Sequence, residues 1–444
     1  MENEILLSEH FTYKKLLRFT LPSIVMMIFS SIYGVVDGVF VSNFVGKTSF
    51  ASINLIMPFL MIFGAVGFMI GTGGSALVAK TLGEGKALKA NRIFSMLVYS
   101  LIILGISLST LGFIFLEPIA VWLGAEGEMM GDCVLYGRIL LPALSAFILQ
   151  NAFQAFLVTA GKPQLGLIVT ITAGVANILL DFLFIVIFKW GLIGAAAATA
   201  ISQIIGGFVP LLYFARPNDS VLQLTRAKYN GSAFVKAITN GSSEFVSNIS
   251  MSIVNILYNI QLMRFIGESG VASYGVIMYV NFIFISVFLG YSIGCSPIIG
   301  FNYGANNYKE LQSLFKKSLV IILYAGICLT IIAESLSLPL SQIFVSYDAE
   351  LLVMTQYGFM LYSLSFLIVG VNLFASAFFT ALNNGSISAS ISFSRTMIFE
   401  TSAVIILPIL FGVNGIWLAI VCAELMALVV TISFFIRFRA KYHY

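Results

Sequence analysis

Apolar stretches of about twenty residues follow one another along the whole chain, separated by short clusters of charged residues or of Gly, Pro and Asn. A helix needs about 20 such residues to cross the hydrocarbon of a bilayer. Breaks near residues 46, 85, 125, 162, 190, 222, 267, 308, 348, 384 and 413 leave twelve spans. Composition agrees: 59% of the 444 residues are apolar and 9% are charged, against about 25% charged in soluble domains. So few charges cannot cover so much apolar surface, which rules out a cytosolic enzyme or a nucleic-acid binder. The expectation is an all-α polytopic membrane protein of twelve transmembrane helices. Glu2, Glu4 and Glu9 precede the first span and no small-residue cleavage site follows it, so it reads as a mature helix rather than a removable signal.

An even number of spans puts both termini on one side. Of the 23 Lys and Arg, all but five fall on loops and ends of the N-terminal side, among them Lys80, Lys86, Lys89, Arg92, Arg226 and Lys228. Only Lys47, Lys189 and Arg264 fall on the opposite side, while Arg138 and Arg395 lie within spans. Positive charge is retained on the cytoplasmic face. Both termini are therefore expected in the cytoplasm, with the chain in the plasma membrane.

The two halves repeat at a constant shift of 221 residues. FVGKTSFASINLIM at 44–57 aligns without a gap on FIGESGVASYGVIM at 265–278, and NAFQAFLVTA at 151–160 aligns on NLFASAFFTA at 372–381. The same shift pairs Gly83 with Gly304, Pro118 with Pro339, Gly191 with Gly412 and Arg216 with Arg437. Six spans per copy give the copies the same orientation. Parallel repeats of this kind make two six-helix lobes related by a pseudo-two-fold along the membrane normal, with a cavity between them. The lobes are expected at residues 1–222 and 223–444. Such a plan suits alternating access, which neither a static channel nor a receptor requires.

Several chemistries are absent. His10 and His443 lie near the ends, so no buried His can serve as metal ligand or general base. The four cysteines form no CxxC pair, and no Walker motif appears. Glycines 71, 73 and 74 sit inside an apolar span, where close helix packing explains them better than a phosphate loop. No catalytic residue and no organic cofactor are expected.

Acidic residues inside spans are costly, about 2.5–3.5 kcal/mol each near a helix centre, and mark function by default. Asp37, Asp181, Glu244, Glu334, Glu400 and Glu424 are of this kind. Tyr33 and Asp37 share one face of the first span; Asn177 and Asp181 share one face of the fifth; Thr199 and Gln203 lie four apart in the sixth. If these faces converge, two carboxylates, a carboxamide and a hydroxyl surround one pocket. Oxygen ligands of that sort suit a hard cation such as Na⁺. Two adjacent carboxylates also resist ionising together, so the pair could instead hold a proton. The repeat places Tyr258 opposite Asp37 and Ser402 opposite Asp181, so ion coupling is expected mainly in the N-terminal lobe. In the C-terminal half, Glu244, Asn248, Ser252, Asn255 and Asn259 form a polar stripe on the seventh span. Arg395 demands an acidic partner, for which Glu244 and Glu400 are the candidates. Tyr33, Gln150, Asn151, Gln154, Gln203, Glu244, Asn255, Asn372 and Arg395 are candidates for substrate binding, Glu244 for cationic cargo or a second proton, and abundant Met, Phe and Tyr supply adaptable apolar walls.

These residues resemble a known family. LPSIVMMIFSSIYGVVDGVFVSNFVG at 21–46, ANILLDFLFI at 176–185, GLIGAAAATA at 191–200 and PIIGFNYGA at 297–305 are similar to the multidrug and toxic compound extrusion (MATE) transporters, over essentially the full length. The GSSEF context at 241–245 is most like the Gram-positive multidrug branch. The resemblance implies an antiporter, not an enzyme, that expels amphiphilic and often cationic compounds in exchange for H⁺ or Na⁺. It implies that Asp37, Asn177, Asp181 and Thr199 form the cation site. The two-lobe plan itself lets a monomer work. Some branches use a functional acid where Glu244 lies and another in the tenth span, which holds none here. The main alternative is a lipid-linked saccharide flippase of the same superfamily, which would need cations rather than acids in its cavity.

Overall fold

The computed structural model describes residues 6–444 apart from 347. Among the described residues all regular structure is helical. The first lobe runs α1 (Tyr13–Phe44), α2 (Lys47–Gly83), α3 (Ala87–Trp122), α4 (Gly127–Thr159, with a 3₁₀ turn at Leu141–Ala143), α5 (Pro163–Ile187) and α6 (Gly191–Ala215). An extended segment leads to α7 (Gly231–Phe265), α8 (Glu268–Gly304) and α9 (Tyr308–Ser335) with a short helical coda at Ser337–Val345. There follow α10 (Ala349–Ser363 and Phe366–Ala381, bent by 49°), α11 (Gly385–Phe411) and α12 (Val413–Tyr442).

Ten of these helices are long and apolar enough to cross a membrane, and the bent α10 makes eleven. The remaining helix, α7, is 35 residues long and falls short through composition, not length, because of its polar stripe. Twelve helices in two lobes result. The repeat extends to the turns. Gly46 and Gly267 both take positive φ, at 116° and 89°, and Gly191 and Gly412 do so at 55° and 59°. These pairs are each 221 residues apart in sequence, so the two copies turn corners with the same backbone geometry.

The lobes meet along a seam of small residues. A Cβ at Gly73 of α2 would overlap the Ala237 carbonyl oxygen of α7, and one at Gly241 would overlap that of Met69. The symmetry mates behave alike: a Cβ at Gly290 would fall 2.5 Å from the Ile24 Cα, and one at Gly294 would fall 3.0 Å from the Thr20 Cα. On the axis itself, Gly83 packs against the Phe301 carbonyl and Gly304 against the Lys80 carbonyl, a contact that maps onto itself under the 221-residue shift. Only glycine lets backbones approach this closely, which in a bilayer substitutes for a hydrophobic driving force.

All these approaches lie toward one end of the bundle, where α1 and α7 begin and α2 and α8 finish. Toward the other end, Gly34, Gly38 and Gly275 have no neighbour within 4 Å of a Cβ. The lobes are thus joined on the side of the N-terminus and parted on the other. The joined end is reciprocal: Leu7 and Phe11 ahead of α1, Leu16 and Phe19 of α1, and Val158 of α4 sit in the buried apolar cluster otherwise built from the second half. Ala233 and Ala237 of α7 sit in the cluster built from the first half.

Candidate functional site

Small residues also set the approach of α1, α4, α5 and α6. Gly174 of α5 leaves room for the rings of Phe29 and Tyr33, and Gly206 of α6 leaves room for the Gln150 side chain. That packing brings Asp37 and Asp181 against one another, within hydrogen-bonding range if one carries a proton. Asp181 is completely buried and Asn177, one turn earlier, is nearly so. The π turn Phe182–Ile187 begins at the next residue. Such turns interrupt the helical ladder and are frequent at functional positions.

The polar groups gathered here are unsatisfied. Asp37 Oδ1, both Asp181 oxygens, Asn177 Nδ2, Thr199 Oγ1 and Gln150 Oε1 are buried and have no hydrogen-bond partner; the same is true of Gln154 Oε1 one turn further along α4. Native proteins leave few such groups, and each calls for a bound species or a functional strain. Oxygens from two carboxylates and a hydroxyl, with the Asn177 carboxamide beside them, can hold a proton between the aspartates or a small cation among all four residues.

Two tyrosines complete the site. The Tyr33 hydroxyl sits beside Ser30, Asp37 and Gln150. The Tyr136 hydroxyl, on α4, sits beside Thr199 and faces both aspartates from a fully buried position. Sequence reasoning found Tyr33 by its helical spacing and missed Tyr136. Nothing in the sequence distinguishes Tyr136 among 18 tyrosines except its repeat mate Tyr357, and that pairing speaks of fold rather than site.

Other candidates are placed differently. Asn151 donates its Nδ2 hydrogen to the Gly64 carbonyl at 3.3 Å, which ties α4 to α2. Asn372, fully buried, donates to the Glu424 carboxylate at 2.7 Å and accepts from Thr431 at 2.9 Å. Gln203 is half-buried on α6.

In the C-terminal lobe, Arg395 finds its acidic partner in Glu424 on α12, 3.6 Å away, rather than in Glu244 or Glu400. Arg395 and Glu400 both lie in the π turn Ser394–Glu400 of α11, so the fifth helix of each lobe carries such a turn beside its charged residues. Asn255, Arg395, Glu400 and Glu424 line a cavity of about 30 Å³, room for a water-sized occupant and not for a drug. Asn255 there accepts a hydrogen bond from Tyr274 at 2.8 Å. Glu244 is half-buried on α7, and beyond it Asn248, Ser252 and Asn259 are exposed. A polar face at that depth is tolerable only against water, so this stripe borders the parted space between the lobes.

A model of the MatE family matches residues 22–183 and again 245–405, one copy in each half. "Multidrug export protein MepA" of Staphylococcus saprophyticus is 24% identical over 406 residues, covering 91% of this chain and 88% of that protein. A solved multidrug resistance MATE family transporter of the MOP superfamily, in its outward-facing conformation, superposes with a TM-score of 0.92 at 22% identity, covering 99% and 98% of the two chains. A solved MATE in complex with MaL6 does so at 0.92 and 21%, covering 100% and 98%. With its duplicated helical bundle and a family match spanning both copies, the chain belongs to the MatE family of membrane transporters.

Proposed function

We propose that the chain exports amphiphilic, mostly cationic compounds across the plasma membrane in exchange for H⁺ or Na⁺. The carrying observation is the cluster of partnerless buried oxygens around Asp37 and Asp181, on helices that also border the gap between the lobes. The name of the staphylococcal relatives, multidrug export protein, supports the cargo class. The excess of Lys and Arg on the N-terminal side supports cytoplasmic termini, which makes the parted end extracellular.

The mechanism follows from differential affinity. A cation entering from outside occupies the aspartate pair, draws α1 and α5 together and disfavours cargo. When the parted end closes and the joined end opens, the cation leaves to the cytoplasm and cargo reloads. A lipid-linked saccharide flippase would need free cations in the cavity to meet pyrophosphate. Arg395 is instead engaged with Glu424, and the exposed stripe of α7 is neutral or acidic.

Efflux of a fluorescent cationic dye from proteoliposomes, under an imposed pH gradient and then under an imposed Na⁺ gradient, tests the reading and identifies the ion. Asp37→Asn and Asp181→Asn are expected to insert normally and lose gradient-driven export. Undiminished export by Asp37→Asn defeats the mechanism.

A further inference from the structure

Four cations converge on one groove at the joined end of the bundle. Lys89 and Arg92 stand three residues apart at the start of α3, hence on one face of it. Arg226 and Lys228 stand two apart in the extended segment between the lobes, hence on one side of it. All four line a single groove of about 860 Å³.

Hydrogen bonds hold the two pairs opposite each other. Gln223 N donates to Asn91 Oδ1 at 2.8 Å, Thr225 N donates to Ser95 Oγ at 2.8 Å, and Asn230 N donates to Met96 Sδ at 3.1 Å. The segment therefore lies fixed along α3 instead of hanging free. Among the described residues none of the four cations has a salt bridge, and no acid lines the groove. The nearby Glu84 is engaged by Lys86 at 2.8 Å.

Topology alone asks only that positive charge be on this side. It does not ask that four like charges from two separate segments face one groove, where they repel one another unless an anion lies between them. The surroundings are amphiphilic: Leu88, beside Lys89, is 79% exposed, and Tyr229, beside Lys228, is 70% exposed. The groove sits where the spans end, at the depth of lipid headgroups.

We propose that this groove binds the phosphodiester headgroup of an anionic phospholipid, whose chains lie toward Leu88 and Tyr229. The bound lipid bridges α3 and the interlobe segment. It thereby braces the one stretch of chain that has to adjust when the lobes change their relative position. Basic pockets of this kind at the cytoplasmic ends of helices recognise anionic headgroups.

The test uses the full chain in detergent, titrated with dioleoyl phosphatidylglycerol and followed by native mass spectrometry. Dioleoyl phosphatidylcholine and inorganic phosphate are run in parallel. The expected result is retention of the glycerol lipid over the choline lipid, no displacement by millimolar phosphate, and affinity weaker on the order of tenfold in K89Q/R226Q. The control pair K309Q/K316Q removes equal charge from exposed positions on the same side and is expected to bind as the parent does. Equal loss in both double variants overturns the site in favour of a diffuse surface field. Equal retention of both lipids, or displacement by phosphate, overturns the lipid headgroup as occupant. Melting of the variants without added lipid, unchanged from the parent, keeps a folding defect from mimicking either outcome.

Discussion

Asp181 is buried with both oxygens unpartnered, although several kcal/mol are at stake for each uncompensated ion taken out of water. Asp37, Asn177 and Asp181 were legible as candidates for that reason: acids and amides interrupt apolar runs at helical spacing, and such interruptions are expensive; Thr199 entered through its spacing to Gln203 and the family resemblance. Tyr136 was not legible, since an aromatic in an apolar span is ordinary until the fold aims its hydroxyl at two carboxylates. Tyr136→Phe is expected to weaken cation dependence up to about tenfold, the worth of one hydrogen bond, with cargo binding preserved. The ion concentration for half-maximal efflux measures it. Glu424 shows the same limit. Its partners Asn372 and Arg395 lie on other helices, and no spacing rule links them. Arg395→Gln is expected to cost about 3 kcal/mol by leaving Glu424 buried and unpaired. Thermal unfolding in detergent measures it, and R395Q/E424Q is expected to recover most of the loss.

Among the elements, α7 carries the polar stripe and also half of the closest contact between the lobes. Its Gly241 fits against Met69 of α2, one turn before Gly73. Inserting a methyl group against backbone costs about 1–3 kcal/mol when neither side can yield. Gly73→Ala is therefore expected to pry α2 from α7, shift the protein away from the state joined at this end, and slow export several-fold. Gly275→Ala, in open space on α8, is expected to transport as the parent does. Efflux rates normalised to inserted protein check both. Glycines 71, 73 and 74 read correctly from sequence as packing positions, but which partner each met did not. Gly71 faces Ala152 within its own lobe, whereas Gly73 faces the other lobe. Two residues of helical rotation, about 200°, separate those outcomes.

For the whole molecule, the topology predicted from charge is checked by labelling with a membrane-impermeant maleimide in intact cells. Cysteines placed at Glu126 or Glu268 are expected to react from outside. Those placed at Lys86 or Lys309 are expected to react only after permeabilisation. The reverse pattern would invert the protein and leave the parted end facing the cytoplasm. The sequence by itself determined the helical class, the number of spans and the duplication, because apolar runs of about 20 residues suit helices that satisfy their own backbone in the bilayer and because a 221-residue shift keeps Gly and Pro in register. The tertiary structure alone decided which end of the two lobes is joined, which acid Arg395 meets, and that four scattered cations share one groove. Each of these depends on helices meeting across large separations in sequence. Contacts of that kind are fixed by how small residues let backbones approach, not by the pattern within any one helix.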